Sequence, residues 1–80
     1  MNDFSEVIEL RGKFLRMLEG GWINVNSIEA LCLLTLNNKW FVNVCNRGAS
    51  FSHIACFEKE DDADLCMLYL VDCLSGVKSC

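Results

Sequence analysis

The sequence predicts one small α+β domain spanning residues 1–80: an antiparallel β-meander of three or four strands packed against a C-terminal helix, with a short N-terminal helix in front. Three observations carry this. Residues 59–75 repeat apolar side chains at helical spacing. Polar breaks, "NNK" and "NRGAS", separate runs rich in aromatic and β-branched residues. The chain has only 80 residues, of which 52% are apolar and none is proline, which suffices for one core and leaves no room for a second.

At the N-terminus, Asp3 and Glu6 stand at capping-box spacing, and Phe4, Val7 and Ile8 then share a helical face. Phe14, Leu15 and Leu18 would extend that face, although Arg11 and Gly12 interrupt it. The expectation is a helix over residues 3–11, the extension to 18 being left open. The competing reading makes "KFLRML" a strand joined through "EGG" to "WINV". Gly20-Gly21 ends the element in either case, because glycine supplies positive φ for a cap or a turn.

From Trp22 the period changes to two. Trp22, Asn24 and Asn26 alternate with Ile23 and Val25, and the run becomes continuously apolar near Leu31. Asn26 and Glu29 keep a short helix in "NSIEALCLL" as an alternative. "NNK", Asn37 to Lys39, is a hairpin turn, "WFVNVC" its return strand, and "FSHIACF" the strand after "NRGAS". The last element is a helix over residues 59–75. Ala63, Cys66, Met67, Leu70, Cys73 and Leu74 form its stripe, and Glu60, Asp61, Asp62 and Asp64 crowd its positive end. Gly76 is expected to end it, with Lys78 just beyond.

Net charge is −4, from 11 acids and 7 bases, and the bases are scattered. Arg11, Lys13 and Arg16 form a small patch interleaved with Glu6, Glu9 and Glu19. Direct nucleic-acid binding is therefore not expected as the main task. The longest apolar runs, "ALCLL" and "CMLYLV", are far shorter than the roughly 18 residues of a membrane span. "MNDFSEVIEL" carries acids where a secretion signal would carry bases. A cytoplasmic chain is expected, with its six cysteines reduced: they contain no C-x-x-C and mostly replace apolar residues in apolar patterns. Cys80 is the thiol expected to be exposed.

"HIACFEKEDDADLC" concentrates the residues most suggestive of chemistry. His53 and Cys56 form an H-x2-C pair, but on a regular strand positions i and i+3 point to opposite faces. Cys66 and Cys73 share a helix face, yet that face is the core stripe. Catalytic Cys/His work needs an accessible, acidified thiol beside an imidazole, whereas "IACF" reads as a buried strand. No catalytic residue, metal site or cofactor is therefore expected, and His53 is placed on a strand surface.

The helix carries more apolar residues than docking requires. With Ala63, Leu70 and Leu74 inward at about 100° per residue, Leu65 and Leu68 fall on the opposite side among Asp61, Asp64 and Asp72, with Tyr69 on one flank. Glu60, Asp61, Asp62, Asp64, Leu65, Leu68 and Tyr69 are the candidate partner-binding residues. The alternative is that the N-terminal helix or a second subunit covers the leucines. Of Trp22 and Trp40, at least one is expected in the core.

"EGGWINVNSIEALCLL" resembles small bacterial and phage sheet proteins with a G-x-x-I-x-V-x-x-I pattern before a hairpin, among them flagellar regulators of the FlbD type. In size, charge and format the chain is also similar to phage-encoded inhibitors of the anti-CRISPR kind. That resemblance implies a non-catalytic protein-binding module, an inhibitor of a bacterial defence or nucleic-acid-handling complex acting through an acidic and apolar surface. The alternatives are a small DNA- or RNA-binding regulator using Arg11, Lys13 and Arg16, and a homodimeric structural subunit.

Overall fold

A computed structural model describes residues 4–48 and 50–77, with side chains to residue 75. The N-terminal segment makes a single turn, in which Val7 N and Ile8 N both donate to Phe4 O, and then becomes extended. The expected N-terminal helix is not formed, and Asp3, its proposed cap, lies outside the described residues. Gly12 explains the outcome. It stands at φ +58° as the first residue of a two-residue hairpin turn, a position that suits glycine, and sends the chain back on itself. The strand reading of "KFLRML" is the one realised.

Strands β1 (Leu10–Arg11), β2 (Phe14–Arg16) and β3 (Trp22–Asn24) make a first antiparallel sheet in that order. Leu15 pairs with Ile23, and both face the core. The expected continuous strand from Trp22 is broken by a 3₁₀ turn at Val25–Ser27, where the Asn24 side chain accepts from Asn26 N at 2.8 Å. No α-helix forms at "NSIEALCLL".

The second sheet follows as a meander: β4 (Ile28–Leu36), β5 (Lys39–Asn46) and β6 (Phe51–Phe57). Asn37 and Asn38, at φ 53° and 64°, close β4 onto β5 as a two-residue turn of the I′ kind. The turn between β2 and β3 reaches the second sheet, Leu18 N donating to His53 O at 2.8 Å. This occupies part of the outer edge of β6, whereas β4 lies at the sheet's other edge.

Helix α1 (Glu60–Val77) crosses one face of the second sheet. Ala63, Cys66, Leu70 and Leu74 are buried, as the periodicity implies. The helix continues through Gly76 rather than stopping there; Lys78 and Cys80 lie outside the described residues. Val42, Val44, Ile54 and Ala55 meet α1 from the sheet, while Phe4, Ile8, Leu15, Ile23 and Val25 close the core from the N-terminal side. Trp40 packs on this core half-buried, and Trp22 is exposed. The architecture is α+β, and no described helix is long and apolar enough to cross a membrane.

Candidate functional surfaces

The strand register sorts the second sheet into two faces. Leu33, Val42 and Ala55 make one cross-strand row, and Leu31, Val44 and Ser52 another; both belong to the helix side. The opposite face has three rows of its own. Leu34, Phe41 and Cys56 form the first, Cys32, Asn43 and His53 the second, and Ala30, Cys45 and Phe51 the third. Leu36 and Lys39 continue it at the hairpin end. None of these side chains belongs to the hydrophobic core. Phe51 keeps 62% of its surface exposed, Leu34 and Leu36 more than 40%, and Cys32, Cys45 and Cys56 are half-buried. The face is apolar and open.

A bulge in β6 produces part of this arrangement. Asn43 pairs with His53 and Val42 with Ala55, leaving Ile54 as the extra residue. Ile54 and Ala55 are both buried, and the bulge brings His53 and Cys56 onto the same face. The expectation of opposite faces, drawn from a regular strand, is corrected here. The His53 ring lies 4.6 Å from that of Phe41, and its Nδ1 is 2.6 Å from Asn43 Oδ1. Asn43 is wholly buried, and its Nδ2 finds no acceptor among the described residues.

Loss of alternation is the signal for this face in the sequence. A strand with one covered face alternates polar and apolar residues, whereas Ala30 to Leu34 is apolar throughout, as in strands with two apolar faces. Sequence reasoning found the run but not its consequence.

The outer side of α1 is the second surface. Leu68 is 65% exposed and Leu65 44%, with Val71 beside them. A shallow hollow of about 390 Å³ is lined by Asp64, Met67, Leu68 and Val71. Glu60, Asp61 and Asp62 occupy the first turn, where the helix dipole stabilises negative charge. Tyr69 is placed differently from the two leucines. Half-buried, it packs on the core with its ring 5.8 Å from that of Phe4. The candidate residues thus divide into the exposed Glu60, Asp61, Asp64, Leu65 and Leu68, the partly covered Asp62, and Tyr69 at the core margin.

A third surface lies on the outer side of the first sheet. Arg16 stands opposite Trp22, and the guanidinium carbons of Arg11 and Arg16 are each 6.0 Å from the Trp22 ring. Glu9 pairs with both, Oε2 2.9 Å from Arg11 Nε and Oε1 3.6 Å from Arg16 Nη1. Arg11, Phe14 and Trp22 border an open hollow of about 330 Å³. Two of the three early basic residues thus converge on an exposed indole.

The five described cysteines are free thiols. Burial, with a smaller contribution from the neighbouring Cys73, pushes the Cys66 thiol up to about 11, which keeps it protonated and unreactive near neutral pH. Among the described residues, no group of three or more histidine, cysteine or acidic side chains comes together in a way that could hold a metal ion. The chain matches no family model, no curated protein and no solved structure.

Proposed function

We propose that this protein is a non-catalytic binding module that docks the outer face of α1 on a protein partner. The observation that carries the reading is the exposure of Leu65 and Leu68 on a helix whose opposite stripe is already buried in the core. Apolar residues that a fold does not need, surrounded by Asp61, Asp64 and Asp72, suit a groove that is apolar at its floor and basic at its rim. Basic grooves are what nucleic-acid-handling complexes present, and the negative charge of the chain would steer it towards one. In that reading the module is an inhibitor of the phage-encoded kind, occupying a surface on a bacterial defence complex.

The test is parallel affinity capture from the native host with the tagged wild type and with Leu65→Asp/Leu68→Lys. A captured protein that the double variant loses supports the reading. Identical capture by both chains removes the helix from the function.

A second reading, a small nucleic-acid-binding regulator, is favoured by the third surface. Arg11 and Arg16 beside the exposed Trp22 offer phosphate contacts next to a stacking ring. Salt-sensitive binding of single-stranded or duplex nucleic acid, lost with Arg11→Ala/Arg16→Ala, would favour it over the first.

A further inference from the structure

We infer that the open face of the second sheet is the contact between two copies of this chain, packed face to face with their helices on the outside. Covering a sheet on one side by a helix leaves the other side to water, and water tolerates that side when it is polar. Here the three cross-strand rows hold only Asn43 and His53 as polar side chains, and these two bond each other. The remaining seven positions are leucine, phenylalanine, cysteine or alanine.

Charge selects the occupant. None of the three rows contains a carboxylate or a fixed cation, although the chain as a whole carries −4. Two copies of an acidic chain repel each other when their acidic surfaces meet, and this face keeps the carboxylates out of the contact. Lys39 lies at the hairpin end of the face, beyond the three rows, and an identical face matches those rows in polarity.

Size agrees. Three strands about 4.8 Å apart and about seven residues long make a face of roughly 14 by 23 Å. With side-chain relief this is on the order of 500 Å² of accessible surface per copy. Two copies then bury about 1,000 Å² in total, the lower bound for a specific interface.

The wild-type protein itself provides the test. Light scattering across a concentration series should show a monomer–dimer equilibrium. Alkylation by iodoacetamide, mapped residue by residue, should slow several-fold at Cys45 and Cys56 as the dimer forms. Phe51→Glu should weaken the dimer by about tenfold or more, because the 62% exposed ring of this face becomes a carboxylate in an apolar contact, with little change in its own circular dichroism. A mass that stays monomeric at every concentration overturns the proposal. So does a dimer in which Cys45 and Cys56 remain as reactive as in the monomer, since pairing through the edge of β4 or through α1 leaves both thiols open. A dimer abolished by Leu65→Asp/Leu68→Lys but not by Phe51→Glu overturns it in favour of the helix. Because the proposed partner surface is on α1, loss of partner capture without loss of the dimer tells the two surfaces apart.

Discussion

His53 faces Asn43 across the central row of the second sheet, its Nδ1 2.6 Å from the amide oxygen. With that oxygen accepting, the proton sits on Nδ1, and the amide nitrogen of the same buried side chain is left without an acceptor among the described residues.

A buried donor without a partner is costly, so an apolar side chain of the same shape should be tolerated there. Asn43→Leu is expected to leave the stability of dilute protein within about 1 kcal/mol of the wild type, since half-buried His53 can turn to water. Asn43→Ala adds a cavity at a wholly buried site and is expected to cost about 1–3 kcal/mol. Thermal and urea melts separate the two. If Asn43→Leu proves as damaging as Asn43→Ala, the polar pair supports the sheet itself.

The two sides of α1 should respond oppositely. Leu65→Asp with Leu68→Lys is expected to change stability by well under 1 kcal/mol, because both side chains already meet water. Leu70→Ala, at a fully buried site, is expected to cost about 2–5 kcal/mol. A double variant that unfolds at low concentration would place the two leucines in the core.

Stability should fall in alkali, and Cys66 fixes the direction. Its thiol holds its proton more tightly in the folded chain, up to about 11 against an ordinary value of 9.0. The resulting stabilisation is complete below pH 9 and disappears as the pH rises towards 11, because the unfolded chain releases the proton first. Two pH units correspond to about 2–3 kcal/mol. Cys66→Ala should lower stability at pH 7 yet show a flatter loss between pH 9 and 11, read from urea midpoints. An unchanged slope would assign the alkaline loss to other groups.

The β4–β5 turn offers a gain. Asn37 and Asn38 both stand at positive φ, which asparagine tolerates and glycine prefers. Asn38→Gly is expected to stabilise by a few tenths of a kcal/mol to about 1 kcal/mol. Asn38→Val, which forces a β-branched residue into the left-handed region, should cost about 1–2 kcal/mol or more. Melting temperatures decide it; a destabilising Asn38→Gly would mean that the Asn38 side chain itself holds the hairpin.

Local signals were the legible ones. The α1 stripe could be read because Ala63, Cys66, Leu70 and Leu74 recur at helical spacing, and the hairpin because two asparagines and a lysine divide two apolar runs. The first sheet was harder. Phe4, Val7 and Ile8 obey helical spacing, yet the tertiary position of Phe4 against Phe57 and Tyr69, together with the reversal at Gly12, outweighs that propensity. The sharing of one face by His53 and Cys56 was beyond sequence reasoning, because it depends on a bulge that exists only once β6 is paired with β5. Leu65 and Leu68 could be placed outward from spacing alone. Tyr69 could be set on a flank of α1 in the same way, whereas its packing on the Phe4 ring could not be read, since that follows from where Phe4 docks. The open face was hidden for a different reason: an apolar run reads the same whether one of its faces is covered or both.

The meander also sets an order of events during refolding. The β4–β5 hairpin, closed by a two-residue turn, can form in about 1–10 μs. Until α1 docks, a refolding chain carries a paired sheet with neither face covered by helix, and β4, free of proline and with Glu29 as its only charged residue, lies along one edge. A variant that weakens the docking of α1 should then lose more soluble refolded protein as its concentration rises than its melting temperature alone implies.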